Sequence, residues 1–229
     1  MSQSAYFSAE TFAFLRKLKR NNDREWFKAH QDEYEAYVRE PARHFIAAMD
    51  APLKQISPNY IADDRKVGGS LFRIQRDTRF AKDKTPYKTA IGIRFNHELA
   101  RDVHSPLFYL HIEEGDCFAG AGLWHPDGKQ TRAIREFIVA NPNGWKQATR
   151  RAAFKRSYAL GGDTLKRPPR GFDAEHELIE DLMRKDFVAS ARLSSEEILD
   201  PRLPAKLARH YKVLAPMVEY LCDALDVDF

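Results

Sequence analysis

Residues 73–88 carry six cations, Arg73, Arg76, Arg79, Lys82, Lys84 and Lys88, against two acids, Asp77 and Asp83. Like charges at this density repel unless negative charge meets them. The surplus of this one window equals the formal net charge of the whole chain, +4, so everything outside it sums to zero. Asp77 and Asp83 are the internal counterions. A carboxylate that accepts two hydrogen bonds from one guanidinium fixes the direction of that arginine. The cations left over are then aimed at an anion from outside, a phosphate or a carboxylate, whose geometry the arginine fork matches. The turn at residues 82–88, with Tyr87 beside it, closes over that anion. The competing reading is a purely structural ion-pair network, with Glu25, Asp32, Glu33 and Glu35 as further partners. Both readings stay open here, although interleaved Arg and Asp suit fixed geometry better than a mixed lysine and glutamate surface does.

A second set of residues is placed by strand alternation. If Ile91, Ile93 and Phe95 face the core, Gly92 and Arg94 face the other side, and so do Tyr109, His111 and Glu113 opposite Leu110 and Ile112. Gly120 and Gly122 share a face with Trp124. Glycines inside strands cost stability and mark the close approach of a ligand or of another backbone. A hollow floored by glycine and walled by Arg94, Tyr109, His111 and Trp124 follows, and a helix packed on that face is the alternative. His111 is the best-placed group for proton transfer, with Asp77 the other candidate for that role; His125, in a loop before Pro126, is a substitute.

The elements that must position these residues read as helices, then strands, then helices. Ser8 caps a first helix with Phe12, Leu15 and Leu18 at helical spacing, and Asn22 with Glu25 forms a capping-box pattern for a second. Pro41 kinks that helix, and Pro52 and Pro58 mark its end. Strands are expected at residues 71–75, 89–95, 107–113 and 117–123, the last two joined by a short hairpin connection through Gly115. Helices resume at residues 131–139 and near Pro142. A polar loop or small hairpin spans Gly161-Gly162 and Pro168-Pro169, and Ser194 with Glu197 makes another capping box. A last helix over 203–225 bends near Pro216. The expected fold is α+β: an antiparallel sheet of about four strands flanked by N-terminal and C-terminal helices, in one domain over 1–229.

Composition narrows the classes. Hydrophobic residues at 43% and charged residues at 31% fit an ordinary core and surface, which excludes a disordered chain. No apolar run approaches the roughly 18 residues a membrane span needs, so no membrane partner is expected. The opening residues lack a basic region followed by an apolar run, so no signal peptide is expected, and the cytoplasm is the expected setting. Cys117 and Cys222 stand far apart in apolar contexts and read as buried free thiols. No P-loop, dinucleotide-binding turn or nucleophile elbow occurs, and His97, His104, His111, His125 and Glu113 lack a compact metal-ligand spacing. No cofactor and no metal are therefore expected. Lys146, Arg150, Arg151, Lys155 and Arg156, followed by Lys166, Arg167 and Arg170, form a second basic stretch. With the first it suggests a track for a nucleic-acid backbone, opposed by the acids around Asp173 and Asp181.

The stretch Arg73-x-x-Arg76-Asp77-x-Arg79-Phe80, followed by Asp83-Lys84 and Tyr87, resembles the signature of the bacterial family catalogued as domain of unknown function 2461. So do Asn21-Asn22-x-Arg24-x-Trp26-Phe27 with His30 and Tyr34, Gly122-Leu123-Trp124-His125-Pro126, and Pro168-Pro169-x-Gly171-Phe172 with His176. The resemblance spans nearly the whole chain and implies no mechanism, because that family has no established activity. The leading expectation is therefore a protein that binds, and acts on, a small phosphate- or carboxylate-bearing molecule. Arg73, Arg76, Arg79, Lys82, Lys84, Tyr87, Lys88, Arg94, Tyr109 and Trp124 form its binding set. Nucleic-acid binding and a non-catalytic scaffold are the alternatives, and whether the chain is an enzyme stays open.

Overall fold

The structure is a computed structural model that describes residues 4–99 and 104–229; residues 1–3, part of the opening stretch read above for a signal peptide, lie outside it. Helix α1 (Ala9–Arg20) is followed by α2 (Arg24–Ala29), α3 (Gln31–Tyr34), a π-helical turn (Glu35–Arg39) and α4 (Glu40–Lys54). Asp23, not Asn22, caps α2, accepting the Trp26 N–H at 2.8 Å. The kink expected at Pro41 takes the form of the π turn just before it. A proline has no N–H to give the carbonyl four residues back. That carbonyl, Tyr37 O, instead accepts the Thr11 hydroxyl at 2.8 Å, which ties α1 to the bend. Pro52 does not end α4, which runs on to Lys54.

Four strands follow, β1 (Tyr60–Ile61), β2 (Ile91–His97), β3 (Leu107–Ile112) and β4 (Cys117–Leu123), then α5 (Gly128–Ala140), α6 (Pro142–Arg150) and α7 (Ala152–Ser157). The chain returns to the sheet with β5 (Ala159–Gly161), passes α8 (Ile179–Leu182), adds β6 (Phe187–Leu193) and ends with α9 (Ser195–Ile198) and α10 (Leu203–Asp223). The α+β class holds, but the sheet has six strands rather than four, in the order β1-β2-β3-β4-β6-β5 with every neighbour antiparallel. The expected strand at 71–75 is not one of them. Phe72 and Arg94 bond to Gly92 and Ser70 across β2, but by Arg76 the segment pairs instead with Pro86. Changing partner within five residues leaves only isolated bridges at Leu71 and Gln75. The strand missed in the second half, β6, is lined inward by the small Ala189 and Ala191, which dilutes the alternation signal.

One face of the sheet is packed. Ile93, Phe95, Phe108, Leu110 and Ala119 are fully buried, and Tyr211 of α10 lies against Phe108 and Phe95 with ring centroids at 4.8 and 6.0 Å. Pro216 does not break α10; Arg151 donates to the nearby Val213 carbonyl on that stretch of helix. The opposite face keeps Arg94, Asn96, Tyr109, His111 and Phe118 half-buried, and Ser190 and Arg192 exposed. Among the described residues, no helix is long and apolar enough to cross a membrane.

Candidate functional site

The basic segment is partly self-neutralised. Arg79 clamps Asp77 with both prongs, Nε to Oδ1 at 3.0 Å and Nη2 to Oδ2 at 2.7 Å. Arg76 Nη1 donates to Asp83 and to the Thr85 hydroxyl. Lys84 Nζ reaches the Thr78 carbonyl at 2.9 Å, and Lys82 is exposed. Tyr87 turns inward: its ring stacks on Phe27 at 4.1 Å, and its backbone exchanges two hydrogen bonds with the Asn22 side chain, at 2.9 and 3.0 Å. Asn22, read above as a helix cap, is thus the clasp between α2 and the basic segment.

Three cations are left without a carboxylate among the described residues, and they lie together. Lys88 Nζ sits 5.4 Å from the centroid of the Phe72 ring and donates to the Arg73 carbonyl at 2.7 Å. The Arg94 guanidinium carbon lies 5.0 Å from the same ring. A cation over an aromatic face is attracted to it, so Phe72 gathers charges that repel one another. Burial, and then the Arg73 and Arg94 charges, hold the Lys88 ammonium below its usual pKa of 10.5. Arg94 also lines a cleft of about 420 Å³ with Ser70, Asn96, His104, Ser105 and Leu107. The Nε of Arg94 and the hydroxyl of Ser105 are buried there with no hydrogen-bond partner. Buried polar atoms are normally paired, so two orphans on one cleft point to a ligand or ordered water that satisfies them.

Beside these cations, on the same face of the sheet, β3 aligns three ionisable groups. The Tyr109 hydroxyl is 3.0 Å from His111 Nδ1, and His111 Nε2 is 3.6 Å from Glu113 Oε2. Glu113 is held in turn by Lys19 at 3.1 Å and by the Thr89 hydroxyl at 3.3 Å. The imidazole stacks on Phe118 at 4.8 Å, which fixes its plane. Burial pushes the Tyr109 phenol up to about 12, so at neutral pH it is a proton donor. Gly92 makes room for all of this: a Cβ there would stand 2.6 Å from the Phe72 ring and 2.8 Å from the Tyr109 oxygen. The glycine floor expected from sequence is therefore occupied by Phe72 and Tyr109 themselves.

Of the sequence-derived set, the structure brings together Arg73, Lys88, Arg94, Tyr109 and His111. Arg76, Arg79 and Asp77 lie in the paired loop, and Trp124 stands exposed at the end of β4 beside His125. Phe72, which alternation alone presents as an ordinary strand residue, and Ser105, which carries no sequence signal, complete the site. In the second basic stretch Lys146 pairs with Glu177 at 2.6 Å and Arg150 with Asp181 at 3.0 Å, which interrupts a continuous track.

The paired loop has a pH signature. The Arg76 guanidinium, then the Thr85 amide and hydroxyl, hold the Asp83 carboxyl at about 2 instead of the usual 3.8. A value depressed by folding contributes stability that is complete above the unfolded value and is lost as pH falls through the folded one. The loop is therefore expected to stay fixed above pH 4 and to loosen between about pH 4 and 2. The Thr85 amide resonance reports this directly, and a shift flat across that window would remove the pairing.

No curated protein and no solved structure matches the chain. A model described as a conserved hypothetical protein, DUF2461, does match, over residues 10–220. That match takes in every element from α1 into α10, and with them the paired loop, the three free cations and the polar line along β3, so the chain belongs to the DUF2461 family.

Proposed function

We propose that the protein binds a small molecule bearing a phosphate or a carboxylate, with the anion held by Arg73, Lys88 and Arg94, and that Tyr109 and His111 move a proton on it. The observation that carries this reading is the group of three cations around Phe72 with no acid to neutralise them. The Arg76 and Arg79 pairs keep the supporting loop in place and are not themselves ligand groups. In the proton step Tyr109 donates from its hydroxyl and His111 takes up charge at Nδ1, steadied by Glu113 at Nε2. The buried free thiols of Cys117 and Cys222 suit a cytoplasmic setting for such chemistry.

A thermal-shift panel of pyrophosphate, sugar phosphates, nucleotides and dicarboxylates tests the binding. A ligand that binds only the native state at a hundred times its Kd stabilises by about 2.7 kcal/mol, which for a chain of this size raises Tm by roughly 5–10 °C. Affinity is also expected to fall in alkaline buffer. Free Lys88 loses its proton earlier than an ordinary lysine, and an anion restores its charge, so binding takes up a proton as pH rises toward that range. Calorimetry in buffers of different ionisation enthalpy reads the uptake. No Tm response across the panel, or binding with no proton linkage at high pH, defeats the reading.

A further inference from the structure

Just past the end of β4, His125 occupies left-handed backbone, φ 52°. Glycine adopts that conformation freely, whereas another residue stays there only when its surroundings hold it. The holder is Asp186, at the entrance to β6, whose side chain is 0% exposed. Oδ1 accepts the His125 backbone N–H at 2.8 Å, and Oδ2 accepts the Asp163 N–H at 2.9 Å. The His125 ring turns back over the same carboxylate, with Nδ1 3.3 Å from Oδ1, while its side chain stays 68% exposed. No lysine or arginine pairs with Asp186 among the described residues, so His125 is the one ionisable group beside a buried carboxylate. Trp124 stands next to it, 53% exposed, with its ring 4.6 Å from the imidazole.

A carboxylate on one ring nitrogen fixes the tautomer: Nδ1 keeps its proton toward Asp186, and the Nε2 lone pair faces solvent. Joining the backbones at 125 and 163 requires only the two N–H bonds. It requires neither an imidazole nor an exposed one, and a glycine would relieve the backbone. We propose that His125 and Asp186 form a proton-transfer dyad in which His125 Nε2 is the general base for hydrolysis of an ester whose flat or apolar group rests on Trp124. Nε2 takes a proton from water as the water oxygen bonds to the ester carbonyl carbon, and Asp186 balances the imidazolium. The Nε2 proton then passes to the alkoxide oxygen as the C–O bond breaks, so ester and water become acid and alcohol. His125 is the catalytic residue and Asp186 the positioning residue. None of this depends on the anion site, whose cations are contributed by other residues.

The probe is p-nitrophenyl acetate with the full chain. Nitrophenolate release is expected to fall at least about tenfold in His125→Gln, which retains a polar side chain but no base. In ¹⁵N NMR of the wild type, the His125 proton is expected on Nδ1 with Nε2 bare, and in Asp186→Asn that preference is lost along with the rate. Should Asp186→Asn fail to fold, His125→Gln and the wild-type tautomer decide the matter. An unchanged rate in His125→Gln, or the wild-type proton found on Nε2, overturns the dyad.

Discussion

Arg94→Ala is expected to weaken binding of the best ligand from the thermal-shift panel by about 10–150-fold while leaving the unliganded protein as stable as before. Hydrogen bonds to a charged group are worth about 1.5–3 kcal/mol, and each 1.4 kcal/mol is tenfold in Kd. Arg94 has no acidic partner to orphan, and its removal relieves repulsion on Lys88, so nothing in the free protein depends on its charge. Arg76→Ala should do the reverse. It frees Asp83 and Thr85, loosens the loop and lowers Tm, yet it removes no cation from around Phe72. Arg94→Lys separates charge from geometry, because an ammonium keeps the charge without the planar fork. Calorimetric titration beside urea unfolding on the same variants reads both quantities. If Arg94→Ala binds like the wild type, the cations around Phe72 are not the site, whatever the panel shows.

The contrast between Arg76 and Arg94 also marks how far the sequence carries. Charge density drew attention to residues 73–88, and the Arg-Asp interleaving there does produce the two clamps. Which cations remain free is set by chain reversal: residues 70–72 pair with β2 while residues 74–76 pair with 86–88, and that crossing lays Phe72 on Gly92. Neither step has a periodic signature. Strand alternation placed Arg94, Tyr109 and His111 on one face correctly because β2 and β3 are half-buried strands with one core-facing side. It failed for β5 and β6, where three residues and a run of alanines give the pattern too little contrast. Asn22 shows another limit. An amide three residues before a glutamate fits a capping box, yet its donor and acceptor went to the Tyr87 backbone, a partner 65 residues away.

The second large effect is expected at Gly122. Its φ is +125°, a region that L side chains rarely enter, and a Cβ there would stand 2.0 Å from the Phe187 carbonyl oxygen and 2.9 Å from the Val188 Cα. Both obstacles are backbone, so no rotamer change relieves them. Gly122→Ala is expected to destabilise the fold by about 2–5 kcal/mol, combining strained backbone with overpacking. Measured by urea titration, that is a large share of the roughly 5–15 kcal/mol that separates a typical native state from its unfolded chain. The damage should be directional. Gly122 pairs with Val188, so parting β4 from β6 there displaces Asp186 from beneath His125, while Arg94 on β2 lies two strands away. Under folding conditions the variant should therefore lose ester hydrolysis before it loses anion binding. A loss of less than about 1 kcal/mol would mean that β4 shifts aside without strain, and the close packing that fixes Asp186 beneath His125 would then be absent.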